Sequence, residues 1–223
     1  MSTLRRLARS LELRLAPMPR FVVAGTGQCG TTYVAHVLQE AGVRCGHEEI
    51  FNASGITRSF RLTGDVSYLA VPYLPSYRGK VVHLVRNPVH VVRSLVGIEL
   101  LDHPDWLWVK PILPYIDRSG DLQIDAMRFY LRWNSMIEPY AAMRVRIEDF
   151  DRELPAVLAL VAPRRARSAA VPASTVPTNT NTKKRAEGID TIDDLPDSVE
   201  RDQLAAMGER YGYDMKVGSE ARS

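Results

Sequence analysis

Cysteine is nearly absent: Cys29 and Cys45 are the only two in 223 residues. Two thiols make neither a disulfide framework nor a four-ligand zinc set, and they read as reduced thiols of a cytoplasmic protein. Long hydrophobic runs are missing as well, since none approaches the ~18 apolar residues of a membrane span. The start of the chain, MSTLRRLARSLELRLAPMPR, lacks the apolar region of roughly 7–15 residues that marks a signal peptide. A strong charge of one sign is also missing. Lys+Arg 29 against Asp+Glu 26 leaves a net charge of +3, too small an excess to argue for nucleic acid and suited to one local anion pocket. What remains, 45% hydrophobic and 25% charged residues, is the balance of a soluble globular protein with room for one α/β domain and its core.

A further absence is local. Phe21–Leu38 reads FVVAGTGQCGTTYVAHVL. A short apolar run, Phe21–Ala24, leads into a loop with Gly25, Gly27 and Gly30, and an amphipathic helical pattern starts at Thr31. That is the strand, phosphate-cradling loop and helix N-terminus of a P-loop. The triphosphate-binding form would put lysine at 31, where this chain has Thr31-Thr32. A kinase of that type would also want an acid ending a neighbouring strand for magnesium, and Arg86 stands there. The loop therefore reads as built for phosphate, but not for a nucleoside triphosphate held with a metal. Amides at a helix start lack intrahelical partners and carry the positive end of the helix dipole. Glycines let the backbone wrap close to phosphate oxygens, and two threonine hydroxyls add donors. The plainer alternative is a glycine-containing turn between a core strand and a core helix.

Strand-like runs at Arg20–Ala24, Val43–Cys45, Lys80–Val85 and Arg144–Ile147 alternate with helical patterns. The helical patterns cover Thr31–Glu40, Val66–Leu74, Pro88–Leu100, Leu122–Tyr140, Arg152–Leu160 and Ser198–Tyr211. The alternation predicts an α/β protein, a three-layer P-loop-like fold whose central, mainly parallel sheet is flanked by helices. Residues 1–18 form a basic arm, 19–215 one domain, and 216–223 a tail. Within the domain, 163–188 turns Pro-, Ala-, Ser-, Thr- and Asn-rich and reads as a long mobile loop. The leucine–arginine alternation of the arm fits either a solvated helix packed by its leucines or peripheral contact with an anionic membrane surface or partner.

A second motif lies at Lys80–Leu95, KVVHLVRNPVHVVRSL. Arg86 ends a buried strand, Asn87-Pro88 makes the turn into a helix, and Ser94 follows eight residues after Arg86. A guanidinium at a strand's C-terminal end and a hydroxyl two helical turns on can clamp a further phosphate. Ligands of open α/β sheets sit beyond the carboxyl ends of strands, where this arginine and the Gly25 loop both fall. Separately, a strand-end arginine and a helix-surface serine are commonplace.

Together these residues resemble the sulfotransferase family that uses 3′-phosphoadenosine-5′-phosphosulfate. The family's strand-loop signature corresponds to Gln28-Cys29-Gly30-Thr31-Thr32-Tyr33, and its Arg-Asn/Asp-Pro signature with a later serine to Arg86-Asn87-Pro88 through Ser94. Smaller echoes are Gly64–Leu69, Trp133-Asn134, Arg146–Phe150 and Tyr211-Gly212-Tyr213. The resemblance implies that Gly25, Gly27, Gln28, Cys29, Gly30, Thr31 and Thr32 hold the 5′ end of the donor, and that Arg86 and Ser94 hold its 3′-phosphate. It implies a metal-independent transfer, with Lys184 and Arg185 folding over the 3′-phosphate; the plainer alternative for that basic run is a solvated charge cluster in a loop. It also places a general base within Gly46–Phe51, with Glu48 favoured and Glu49 or His47 as alternatives. Those two acids would otherwise simply cap or solvate a loop.

One departure stands out. The family carries Lys or Arg where this chain has the neutral Gln28. Loss of one electrostatic donor of this kind costs about 10²–10³ in rate, so another cation fills in or the protein only binds. Arg20, Arg93 and Lys183-Lys184-Arg185 are the candidates. The acceptor, whether small molecule, glycan or lipid, is not specified; Trp106, Trp108 and Tyr115 lie where the family places its acceptor pocket, and equally fit core residues under a long connection. Nothing in the sequence specifies an oligomeric state.

Overall fold

A computed structural model describes residues 15–99, 109–166 and 186–215. The expectations for most of the arm, for Trp106 and Trp108, for Lys183–Arg185 and for the tail lie outside the described residues.

Strand β1 (Phe21–Ala24) is buried at every position, as befits a continuous apolar run in the middle of a parallel sheet. It pairs in parallel with β5 (Gly64–Val66) on one side and β6 (Lys80–Val85) on the other. Outside β5 lies β2 (Cys45–His47), and outside β6 lies β7 (Met143–Arg146). The five-stranded sheet has the order β2-β5-β1-β6-β7, and all its pairings are parallel. The chain is thus an α/β protein with a central parallel sheet.

Its helices are α1 (Thr31–Glu40), α2 (Pro88–Gly97), α3 (Leu122–Ile137), α4 (Phe150–Val161), the short α5 (Pro163–Ala166) and α6 (Val199–Arg210). From β1 the chain crosses through α1 to the β2 edge; from β6 it crosses through α2 and α3 to the β7 edge. Right-handed crossovers running in opposite directions put their helices on opposite faces, which makes three layers. On the first face α1 meets α4, where Tyr33 donates to Asp151 at 2.5 Å and stacks edge-on against Phe150. The direction of travel reverses between β1 and β6, so their carboxyl ends flank a crevice of the kind that binds ligands in open α/β sheets. One hydrophobic cluster, with Phe21, Val22, Leu84, Phe129 and Trp133 fully buried, lies against the sheet.

The predicted elements are found with shifted ends, and one changes type. Thr31–Glu40 and Lys80–Val85 fall where the pattern put them. The expected helix Val66–Leu74 is instead the end of β5 followed by a 3-10 segment, Tyr68–Ser76. Pro72 and Pro75 remove amides that an α-helix needs, and Ser67 caps the segment by accepting the Leu69 amide. The strand expected at Val43–Cys45 starts later, as β2. A small antiparallel hairpin, β3 (Phe51–Asn52) with β4 (Gly55–Ile56), was not predicted. The expected loop at 163–188 opens with α5.

Candidate functional site

The loop between β1 and α1 is shaped by close approach. A Cβ on Gly25 would fall 2.5 Å from Cys29 Sγ and 2.5 Å from the Leu84 carbonyl oxygen, so a larger residue would push the loop off β6. Gly30 has φ +97, and a Cβ there would fall 2.8 Å from the Ile147 side chain. Gln28, with φ 65, also holds left-handed backbone, an uncommon conformation for a residue with a side chain. No side chain caps the start of α1. Its first-turn amides are those that helix geometry leaves without intrahelical partners, beside the positive end of the dipole. Thr31 is buried and Thr32 is exposed at that same turn. Burial pushes the Cys29 thiol up to about 12, against the pull of Arg86, so this sulfur stays protonated and is not a nucleophile.

The β6–α2 connection faces this loop. Asn87 caps α2 by accepting the amides of Val89 (3.0 Å) and His90 (3.5 Å), and Pro88 takes the first helical position. Arg86 Nη1 donates to the Gln28 carbonyl oxygen at 2.9 Å, and the Arg86 carbonyl accepts from Tyr130 at 2.9 Å. The guanidinium therefore belongs to both halves of the crevice. Ser94 is buried on α2 and donates to the His90 carbonyl at 2.8 Å, leaving its oxygen as an acceptor.

The β2–β3 turn brings the predicted acid–base residues to the same place. His47 Nε2 lies 3.1 Å from Thr31 Oγ1, 3.4 Å from Thr32 Oγ1 and 3.7 Å from Glu48 Oε1. Glu48 has φ 57, and its amide donates to the Val66 carbonyl at 3.1 Å. The Glu48 side chain is 13% exposed and stands beside His47, whereas Glu49 is exposed. Asp65, fully buried in β5, sets this turn by accepting the amides of Glu49 (3.3 Å), Ile50 (3.1 Å) and Phe51 (2.8 Å). Burial raises its carboxyl to about 6 despite those three amides.

The C-terminal segment closes on the crevice from the far side. Glu148 accepts the Asn87 amide at 3.3 Å on one oxygen and the Tyr213 hydroxyl at 2.7 Å on the other. Arg146 donates to the Gly212 carbonyl at 2.6 Å, and its guanidinium lies 5.3 Å from the centre of the Tyr213 ring.

Of the cations expected to replace the missing basic residue at 28, Arg20 precedes β1 and stands at the opposite edge of the sheet, which removes it. Arg93 is held by Asp190 at 2.5 Å. Lys184 and Arg185 lie outside the described residues. Tyr115 packs edge-on against the buried Trp133, with ring centres 5.8 Å apart, and so serves the core. Asp65, Glu148 and Tyr130 were not singled out as site residues. Asp65 and Glu148 sit inside the weak echoes of the sequence, but nothing there marks which atoms they hold. Among the described residues no group of three or more His, Cys, Asp or Glu is placed to hold a metal ion, and no helix is long and apolar enough to cross a membrane.

No protein-family model matches the chain, and no curated protein matches it by sequence. Among solved structures it is similar to mouse sulfotransferase SULT7A1 complexed with PAP. That likeness has a TM-score of 0.40 and 13% identity, and covers 90% of this chain and 67% of that one. A likeness of this size carries no argument about function, which has to come from the crevice itself.

Proposed function

We propose that this protein is a sulfotransferase. It would move the sulfuryl group of 3′-phosphoadenosine-5′-phosphosulfate to a hydroxyl or amine of a small-molecule, carbohydrate or lipid acceptor. The observation that carries the reading is the 2.9 Å bond from Arg86 to the Gln28 carbonyl. It makes one unit of a glycine-shaped loop at an uncapped helix start and a strand-end arginine with Ser94 on the following helix. A nucleotide phosphorylated at both its 5′ and 3′ positions fits a site with two such halves.

In this reading the Gly25–Thr32 loop holds the 5′ end through backbone amides and threonine hydroxyls, and Arg86 holds the 3′-phosphate, joined by Ser94 once its hydroxyl turns from the His90 carbonyl to donate to the phosphate. The donor supplies an activated sulfuryl group and a bisphosphate leaving group. Glu48 takes the acceptor proton, held toward the loop by its left-handed backbone and by the turn that Asp65 organises. His47 spans Thr31, Thr32 and Glu48, and so orients the base against the loop.

A second reading has one observation behind it. Gln28 is neutral where charge would stabilise the leaving group, which suits a protein that binds the bisphosphate without turnover. Calorimetric titration with adenosine 3′,5′-bisphosphate tests the site, and Arg86→Ala should weaken binding by well over tenfold because it strands a phosphate. Unchanged affinity removes the central assignment. Radiolabelled sulfuryl transfer in wild type and in Glu48→Ala then separates the readings, since binding without transfer across a broad acceptor panel leaves the silent one.

A further inference from the structure

The opposite edge of the sheet is cationic, and the candidate site does not use it. Where the strands begin, backbone bonds fix a row: Arg20 N donates to the Thr63 carbonyl at 2.7 Å, Thr63 N to the Arg44 carbonyl at 2.7 Å, and Lys80 N to the Arg20 carbonyl at 2.8 Å. Strand spacing of about 4.8 Å sets Arg44 and Arg20 some two strands apart, with Lys80 one strand further on. Arg61 stands two residues before Thr63, and Arg78 two before Lys80. All five of these cations are exposed. Among the described residues none of the five forms an ion pair. Of the acids that belong to this edge, Glu40 ends α1, and Glu138 is already held by Arg144, Arg210 and Tyr211.

Arg20, Arg78 and Lys80 surround an open cavity of about 440 Å³, floored by Met18, Pro19 and Tyr77. Two large apolar side chains are left in water nearby in the chain: Phe60, 58% exposed, one residue before Arg61, and Leu15, 67% exposed, ahead of β1. The described chain enters the fold at this edge through residues 15–20. Unpaired cations in a row, flanked by exposed leucine and phenylalanine, match the chemistry of an anionic bilayer surface. The cations meet headgroups and the apolar groups reach the acyl boundary.

We infer that the N-terminal edge of the sheet docks on an anionic lipid bilayer. The candidate site lies at the other edge, roughly 20 Å away along the six-residue β6. Docking therefore turns that site toward water, and the inference stands whether or not the site transfers sulfuryl groups.

The test is co-sedimentation of the full chain with phosphatidylcholine vesicles, and with vesicles containing roughly one-third phosphatidylserine, at low and high salt. The expected result is binding to the anionic vesicles alone, falling with salt. The variant Arg20→Gln/Arg78→Gln/Lys80→Gln should lower partitioning on the order of 100-fold, since each cation near the surface contributes about fivefold. Circular dichroism establishes that the variant is folded, and Phe60→Ser, which leaves the cations alone, should weaken binding independently. Equal binding to neutral vesicles overturns the inference, as does an undiminished folded triple variant. So does duplex DNA that displaces the protein from vesicles at lower concentration than free phosphatidylserine headgroup, which would make the row a nucleic-acid surface.

Discussion

The Arg86 guanidinium donates to the main-chain carbonyl of Gln28 at 2.9 Å. The contact that joins the two halves of the crevice is therefore indifferent to what residue 28 carries. Gln28→Lys keeps the bridge and adds a charged donor at the loop. Charged hydrogen bonds are roughly twice as strong as neutral ones. The substitution should tighten adenosine 3′,5′-bisphosphate binding by about tenfold, a difference of about 1.4 kcal/mol. The lysine inherits the left-handed backbone of Gln28, so little new strain is added. Calorimetric titration reads the change, and unchanged affinity in a folded variant would place residue 28 away from the phosphate.

Gly30→Ala should damage both the loop and the fold. Its backbone at φ +97 penalises a side chain by about 1–2 kcal/mol. The added methyl also meets Ile147 at 2.8 Å, and such overlap typically costs about 1–3 kcal/mol more. Urea unfolding should show a loss in that combined range, with bisphosphate affinity falling further than stability alone explains. The partner change Ile147→Ala in the same chain should recover the overlap part and leave the backbone part.

Much of this was legible because it depends on local spacing. Phe21–Ala24 and Lys80–Val85 are apolar runs in a parallel sheet, and the Gly25 loop and Asn87-Pro88 are local signals that end strands and begin helices. What escaped depends on which distant atoms meet. The Gly64–Leu69 echo shows no sign that Asp65 holds the turn carrying Glu48. Trp133-Asn134 turns out to be core architecture, with Trp133 donating to the Tyr68 carbonyl and Asn134 meeting His83, each at 2.8 Å. The helix expected from Val66 failed because two prolines outweigh its apolar content. Arg20 looked available as a spare cation only because sequence order does not reveal the edge of the sheet on which a residue lands.

Tyr213 and Glu148 should behave as one device. Glu148 binds the Asn87 amide with its other oxygen, so the hydroxyl contact ties the C-terminal segment to the connection that carries Arg86. Burial and the Glu148 charge raise the Tyr213 phenol, which keeps it a donor at neutral pH. Tyr213→Phe and Glu148→Gln should each weaken bisphosphate binding severalfold, and the double variant should cost clearly less than the sum. A coupling energy of about 0.5–3 kcal/mol is expected for residues in contact. Strict additivity in the double-mutant cycle would show that the segment does not act on the site through this pair.

The last expectation concerns two buried groups that titrate in opposite senses. His83 is fully buried in β6. Asn134 donates to the Tyr130 carbonyl, so its oxygen accepts from His83 Nε2. Burial lowers this imidazole to about 4 from 6.5, so between those values the unfolded chain binds more protons than the folded one. Stability from His83 is present above pH 6.5 and lost as pH falls toward 4. Asp65 runs the other way: burial raises its carboxyl from 3.8 to about 6, so the folded chain binds more protons. Its contribution is present below pH 3.8 and lost as pH rises through 6. Each slope reaches at most about 1.4 kcal/mol per pH unit, and in wild type they largely cancel across the shared range. Asp65→Asn removes the falling term and also leaves the Glu49 amide without its acceptor, lowering stability at every pH by about 1–3 kcal/mol. The offset does not affect the slope. Urea unfolding at several pH values between 4 and 6 should therefore show a nearly level profile in wild type and one rising with pH in Asp65→Asn. A level profile in the variant would mean that Asp65 is already ionised in the folded chain throughout that range, with its three amides outweighing burial.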